Sequence, residues 1–172
     1  MTEKYQLKKI QDLSQFEYRR LRNLTISEES PMRDGLAIAM SQFQNSYVVI
    51  CGDEEIYGWG LLMPSIINGI NGKIDNHFDI INTETYPDGE KVNIMIQIFV
   101  RKDCRRKGIG RNIFNKLRTL YVQAMRANAP LVMVAHSHDK LSSHFWNTVV
   151  NGYARIQEDN GIITIDTEND LD

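Results

Sequence analysis

The sequence predicts an α/β domain (α+β by some schemes) in which helices pack on a mixed, mostly antiparallel central sheet. The apolar run KVNIMIQIFV at 91–100 is typical of a strand buried on both faces. An amphipathic helical pattern follows at 110–127, and a second apolar run, LVMVA, follows at 131–135. A strand, a helix and a strand in this order form a right-handed crossover, so the two strands are expected to be parallel neighbours.

Shorter patterns predict the remaining elements. A weakly alternating strand at 5–10 precedes a helix at 12–25, for which Asp12 or Ser14 is the expected N-cap. The other expected elements are a short helix at 36–43, a hairpin of strands at 46–51 and 56–63 joined by GDEE, a helix at 139–150 and a terminal hairpin at 153–157 and 162–166. The sequence therefore predicts about seven strands and about four helices in one domain spanning 1–172, with an insertion at 64–90.

Composition places the chain among ordinary globular proteins. It has 172 residues, of which 42% are hydrophobic and 24% charged, with a formal net charge of -2. This balance disfavours general nucleic-acid binding, which calls for a strongly basic face. The start, MTEKYQLKKI, resembles neither a secretory signal nor a membrane anchor, and Cys51 and Cys104 are too few for a disulfide framework. We expect a cytoplasmic protein with two free thiols and no membrane partner.

The segment RKDCRRKGIGRN at 101–112 has the composition of an anion site. It lies between a buried strand and a helix, whose first turn has backbone N–H groups without an internal acceptor. Gly108 and Gly110 would let the backbone approach a diphosphate closely. Full charges around it come from Arg105, Arg106, Lys107 and Arg111. The spacing fits neither a Walker loop nor a dinucleotide-binding G-x-G-x-x-G fingerprint.

What this segment contains is R-x-x-G-x-G, at 105–110, directly after a strand that ends in IFV. It resembles the signature of the GNAT superfamily of acyl-CoA-dependent N-acyltransferases, in which a fourth strand feeds [QR]-x-x-G-x-[GA] at the start of the third helix. The family pattern V-x-P-x-x-R-G-x-G-I-G maps onto 100–110, with Lys102 in place of the frequent proline and Arg106 in place of the frequent first glycine. The resemblance extends over most of the chain, including Ile56-Tyr-Gly58-Trp, which is similar to the family's third strand.

The resemblance implies the GNAT fold, in which the fourth and fifth strands form a parallel, splayed pair. It also implies acetyl-CoA as co-substrate. The pyrophosphate would lie on the backbone amides of 106–111, and the pantetheine arm would run along 98–100, with the N–H of Ile98 or Phe99 as oxyanion donor. The implied cofactor-binding residues are Ile98, Phe99, Val100, Arg105, Arg106, Lys107, Gly108, Ile109, Gly110, Arg111 and Trp146.

The usual acid and base of the family are missing at the matching positions. Many members have a Glu on the fourth strand, where this chain has only Asn93 and Gln97 as interior polar groups, and a Tyr in the last helix, where Trp146 stands. The catalytic candidates are therefore Gln97, which could orient a water, and His136 and Tyr153, which can exchange a proton. His138 and His144 are further candidates, but no carboxylate or thiol completes a metal site with them, so we expect no metal.

By resemblance, the acceptor binds between 27–35 and 157–161, two segments that contain Glu28, Glu29, Asp34, Glu158 and Asp159. These acids favour a cationic primary amine, such as a polyamine, an aminoglycoside or a lysine-bearing peptide, and disfavour a tRNA-bound acceptor. The insertion at 64–90 is a candidate homodimer contact or substrate lid. The expected function is N-acetyl transfer, the alternative being a catalytically silent acyl-CoA-binding domain that acts through protein contacts.

Overall fold

The structure, a computed structural model, describes residues 4–42, 46–67, 74–75, 92–126, 131–136, 140–150, 155–159 and 162–166. The described α-helices are α1 (Gln15–Ser27), α2 (Gly35–Gln42), α3 (Ile109–Arg126) and α4 (Lys140–Val150). The described strands are β1 (Tyr5–Lys9), β2 (Tyr47–Gly52), β3 (Ile56–Ile67), β4 (Ile74–Asp75), β5 (Val92–Val100), β6 (Leu131–His136), β7 (Arg155–Asp159) and β8 (Ile162–Asp166). Every predicted helix and strand is present, and the predicted α+β class is confirmed.

The chain divides into two compact units. The first comprises Met1–Met63 and Gln97–Arg118, and the second comprises Pro64–Ile96 and Thr119–Asp172. None of the helices that the structure describes has the length and apolar character of a membrane span.

In the first unit, β1, β2 and β3 form an antiparallel sheet, and the end of β5 lies beside β3. The GDEE hairpin is confirmed. Its turn begins at Gly52, where a β-bulge and a φ of 116° require a conformation that side-chain-bearing residues rarely adopt. At the far edge of β3, the N–H of Arg101 donates to the carbonyl of Tyr57 over 2.9 Å. The first unit therefore contains the whole segment from the end of β5 to the first turns of α3.

Ser14, and not Asp12, caps α1. The Ser14 side chain accepts from the N–H of Glu17 and the Glu17 carboxylate accepts from the N–H of Ser14, which is a capping box. Asp12 lies in a short 3-10 turn at 10–12 that precedes the helix. Of the two N-cap residues that the sequence allows, the structure has Ser14, because only Ser14 has a glutamate three residues later with which it can exchange hydrogen bonds.

In the second unit, the parallel pair predicted by the crossover rule is confirmed. Residues 92–96 of β5 pair in parallel with 131–135 of β6, while β6–β8 and β8–β7 are antiparallel. Strand β3 extends to Ile67, past the expected end at Met63, because Ile66 and Ile67 pair with β4. The expected cap Asp139, Tyr153 and most of the insertion lie outside the described residues.

Candidate functional site

The loop between β5 and α3 has two residues in the left-handed backbone region. After a 3-10 turn at Lys102–Cys104, Arg106 has φ 61° and Gly108 has φ 84°, and α3 begins at Ile109. A Cβ added to Gly108 would meet no heavy atom within 4 Å, so the space beside this residue is open. The glycine at 108 is therefore required by backbone conformation and leaves room for a ligand.

The start of α3 has backbone donors that lack an acceptor within the helix. The N–H of Asn112 donates to the carbonyl of Gly108 over 3.0 Å, which is the first bond of the helical ladder. By helix geometry, the preceding amides of Ile109, Gly110 and Arg111 have no acceptor within the helix. They carry the partial positive charge of the helix N-terminus, which favours an anion.

Five of the six basic residues of the loop divide into two groups. Arg105, Arg106, Lys107 and Arg111 are exposed around the start of α3. Arg101 is instead held by ion pairs with Glu55, at 2.5 Å, and with Asp103. Hydrogen bonds to these carboxylates raise the pKa of Arg101, and the Arg101 guanidinium lowers the pKa of Asp103.

The remaining contacts fix where the loop starts. The Nε of Arg105 donates to the carbonyl of Val100 over 3.1 Å, and Lys102, whose side chain is exposed, gives its backbone N–H to both carboxylate oxygens of Glu28. Cys104 is buried in the turn, and burial raises the pKa of its thiol. A buried thiol with a raised pKa is a poor nucleophile, so Cys104 contributes packing to the turn.

Two glycines of β3 allow a close approach by another element, Gly60 by α3 and Gly58 by β5. An ideal Cβ on Gly60 would lie 2.2 Å from Ile113 Cγ2 and 2.9 Å from Leu117 Cδ1, and one on Gly58 would lie 2.6 Å from the carbonyl oxygen of Phe99. Ile113 and Leu117 are fully buried. Any side chain at residue 60 would push the first turns of α3 outward, and with them the amides of the loop.

Successive residues of β5 direct their backbone groups to opposite edges of the strand. The N–H of Arg101 donates to β3. A Cβ added to Gly58 of β3 would lie 2.6 Å from the carbonyl oxygen of Phe99, and one added to Gly60 would lie 3.5 Å from that of Gln97. Residues 97, 99 and 101 therefore present their polar backbone groups to β3. The N–H groups of Ile98 and Val100 point toward the opposite edge.

Gln97 lies against the first residue of α2. A Cβ on Gly35, the first residue of α2, would lie 2.0 Å from Gln97 Oε1 and 2.9 Å from its Cδ. Two residues further along β5, the Phe99 ring stacks on Trp59, with centroids 6.1 Å apart. Because i and i+2 share a face of a strand, Gln97 and Phe99 point toward the same side of the sheet.

The other predicted site residues lie in the second unit. His136 ends β6, but the structure does not describe its side chain, and His138 and Tyr153 lie outside the described residues. His144 is exposed on α4, and Trp146 is buried there with its ring edge-on to Phe145. The catalytic and cofactor roles of these residues stay predictions. No group of three or more metal-ligating side chains occurs among the described residues.

Sequence reasoning missed the contacts that hold the loop. The bond from Lys102 to Glu28 and the seat of Gln97 against Gly35 join segments far apart in the chain, and no local pattern indicates them. Gly60 did carry a signal, because a glycine inside a strand often marks a close approach by another element.

No family model and no curated protein sequence matches the chain. Solved structures do. A structure of a mutant of the toxin AtaT, bound to the C-terminus of the antitoxin AtaR and acetyl-CoA, has a TM-score of 0.59 at 8% identity and covers 98% of this chain and 96% of its own. A putative phosphinothricin N-acetyltransferase has a TM-score of 0.53 at 15% identity, with 96% and 99% covered.

Escherichia coli ElaA has a TM-score of 0.52 at 13% identity, with 95% of this chain and 98% of that chain covered. The chain has the GNAT fold. Because these neighbours match over nearly their whole length, the predicted GNAT fold is confirmed. At such low identity the likeness concerns the fold, and the activity has to be argued from the residues themselves.

Proposed function

We propose that this GNAT-fold protein transfers an acyl group, most simply acetyl, from acetyl-CoA to a primary amine. The observation that carries the proposal is the segment from Val100 to Arg111. Two of its residues are left-handed, the space beside Gly108 is open, the first amides of α3 have no acceptor within the helix, and exposed cations flank them. A doubly charged diphosphate matches this combination of helix amides and cations.

The residues present fit a CoA thioester as co-substrate. Arg105, Arg106, Lys107 and Arg111 would compensate its diphosphate and 3′-phosphate, and the backbone amides from Arg106 to Arg111 would bind phosphoryl oxygens. The pantetheine arm would run along 98–100, with Trp146 as a further contact. AtaT has been captured with acetyl-CoA on a similar fold, which supports this choice of donor.

In the proposed reaction the neutral amine attacks the thioester carbonyl carbon. A C–N bond forms, the C–S bond breaks, the CoA thiolate leaves and the amine proton passes to a base or to water. We propose the N–H of Ile98, and not that of Phe99, as the donor to the developing oxyanion, since the backbone alternation directs Phe99 to β3. Gln97 would orient the amine or a water, and His136 and Tyr153 are the proposed proton carriers.

For the acceptor we propose a cationic amine. Glu29 and Asp34 are exposed on the segment between α1 and α2, whereas Glu28 is engaged with the backbone of Lys102. The acidic pair Glu158 and Asp159 ends β7. AtaT has been captured with acetyl-methionyl-tRNAfMet, so a tRNA belongs in any acceptor panel, although the acidic segments of this chain disfavour one.

Calorimetry with acetyl-CoA tests the donor site. The double variant Lys107→Ala/Arg111→Ala should weaken binding by about tenfold or more, because two charge-assisted contacts to phosphate are lost. Dephospho-CoA, which lacks the 3′-phosphate, should bind the wild type more weakly than CoA. The matched control Arg22→Ala removes an exposed cation from α1 and should leave affinity unchanged. The donor assignment is wrong if acetyl-CoA gives no heat with the wild-type protein.

Release of free CoA thiol over a panel of polyamines, aminoglycosides, lysine peptides and aminoacyl-tRNA tests the transfer. The silent acyl-CoA-binding domain is the second candidate, because a buried Trp146 stands where family members have a tyrosine. An indole cannot deliver a proton at neutral pH. Binding of acetyl-CoA without turnover on any amine would favour that candidate over the enzyme.

A further inference from the structure

The C-terminus of α1 has a specific backbone geometry that fixes the direction of Glu28. The N–H of Ser30 donates to the carbonyl of Thr25 over 2.9 Å, and that of Glu29 donates to the carbonyl of Ile26 over 3.0 Å. These are the two bonds of a Schellman motif, with Glu28 as C-cap and Glu29, at φ 52°, in the left-handed position. The backbone at Glu28 is thus defined by hydrogen bonds where α1 meets the segment leading to α2.

From this position the Glu28 carboxylate caps the first turn of the loop between β5 and α3, residues 101–108, which we call the donor loop. Its Oε1 and Oε2 accept from the N–H of Lys102 at 3.1 and 3.0 Å. That N–H belongs to the first residue of the 3-10 turn Lys102–Cys104, whose N-cap residue, Arg101, supplies no side-chain acceptor. A carboxylate from a distant helix therefore satisfies a donor that is usually satisfied locally.

Local electrostatics do not explain a glutamate at this position. The C-terminus of a helix carries partial negative charge and favours cations, yet the last turn of α1 has no basic residue and is followed by Glu28 and Glu29. The contact with Lys102 offsets this cost for Glu28. The arrangement joins the acceptor-side segment, 28–35, directly to the donor loop.

We propose that Glu28 is a positioning residue that couples the donor loop to the acceptor-side segment. By holding the turn 102–104, it orders the residues that follow, and occupation of the loop by CoA then orders 28–35 in return. The inference rests on the proposed function for the identity of the ligand. The cap itself is a property of the free protein.

Charge and positioning predict opposite signs for one substitution. Glu28→Ala removes a negative charge near a site for an anion, so electrostatics alone would tighten CoA binding. If Glu28 positions the loop, the same substitution should weaken CoA binding by about threefold to tenfold, because part of the binding free energy is then needed to order the loop. Glu28→Gln removes the charge but keeps an acceptor oxygen, and it should bind CoA at least as tightly as the wild type.

Hydrogen exchange measured by mass spectrometry tests the coupling. In the free protein, Glu28→Ala should accelerate exchange at 101–104 by about tenfold, and Glu28→Gln should restore most of the protection. At saturating CoA, peptides covering 28–35 should gain protection in the wild type and not in Glu28→Ala. Glu54→Ala, which removes an exposed carboxylate from the β2–β3 turn, is the matched control and should behave as wild type in both measurements.

The outcomes separate this inference from the proposed function. Unchanged or tighter CoA binding by Glu28→Ala, or equal protection of 28–35 in both proteins, would overturn the coupling while leaving the donor site intact. Absence of CoA binding by the wild type would refute the proposed donor. Exchange at 101–104 in the free protein then decides whether Glu28 holds the turn, and equal rates in wild type and Glu28→Ala would overturn that too.

Discussion

Substituting Gly60 by alanine tests whether β3 positions α3, the helix at the proposed donor site. The added Cβ would lie 2.2 Å from Ile113 Cγ2, whereas non-bonded carbons prefer about 3.5–4.0 Å. Cγ2 branches directly from the Cβ of Ile113, and β-branched side chains in helices have one strongly preferred rotamer. Relief must therefore come from an outward shift of α3 by about 1 Å or more, which is an overpacking defect that costs about 1–3 kcal/mol.

Urea denaturation and CoA calorimetry would measure the two consequences. The free energy of unfolding should fall by about 1–3 kcal/mol. CoA affinity should fall by about tenfold, because the amides of 109–111 move with the helix while the loop stays tied to β5. Adding Ile113→Ala removes the clashing methyl group, so the double variant should be less destabilised than the sum of the two single variants.

A Gly60→Ala protein with wild-type stability and wild-type CoA affinity would refute this reasoning. So would strict additivity of Gly60→Ala and Ile113→Ala, because the clash would then not be the cause of the loss. Loss of stability with unchanged CoA affinity would show that the position of α3 does not control the donor site.

Three further predictions concern the loop, the acceptor side and α1. Gly108→Ala should lower the free energy of unfolding, measured by urea denaturation, by about 1–2 kcal/mol through backbone strain alone. Arg106→Gly should raise the free energy of unfolding by less than about 1 kcal/mol, yet calorimetry should show CoA binding that is several-fold weaker. Gly35→Ala should displace the Gln97 amide and reduce the rate of thiol release at least tenfold, while the affinity for CoA stays constant. An equal loss of thiol release and of CoA affinity would contradict this prediction. Hydrogen bonds from Lys8 and Ser14 lower the pKa of Glu17 to about 2, so its contribution is complete above the ordinary value of 4.5 and is lost as the pH falls toward 2. Because the Lys8–Glu17 ion pair is partly exposed, the effect is modest: between pH 4.5 and pH 2 the free energy of unfolding of the wild type should fall by about 1 kcal/mol more than that of Glu17→Gln. Parallel plots of unfolding free energy against pH for the two proteins would contradict a stabilising role of this ion pair.

Predictions that depend on local pattern were the ones that succeeded. The apolar run of β5, the GDEE turn and the amphipathic stripe of α3 each indicate their element within a few residues, because hydrophobic period and turn chemistry are local properties. The same reasoning proposes a donor site at 101–112, because a strand, glycines and a helix start in sequence favour an anion, and that role stays a prediction. The boundary of β3 was wrong by four residues because its continuation depends on pairing with β4.

The functions of individual loop residues were less visible. Six cations look equivalent in the sequence, yet Arg101 is paired with Glu55 and Asp103, and only a tertiary contact distinguishes it from Arg106 or Lys107. Likewise the acid Glu28 resembles its neighbour Glu29, and only the fold shows that the first caps Lys102 while the second is exposed.

By itself, the sequence determined the class of fold and the order of its elements and predicted the place where a diphosphate would bind, because each depends on residues adjacent in the chain. The tertiary structure alone decided what holds that place in shape: Glu28 against the turn at 102–104, Gly60 beneath α3 and Gly35 against Gln97. These contacts join residues far apart in sequence, and their specificity lies in distances of a few ångströms that no periodicity encodes.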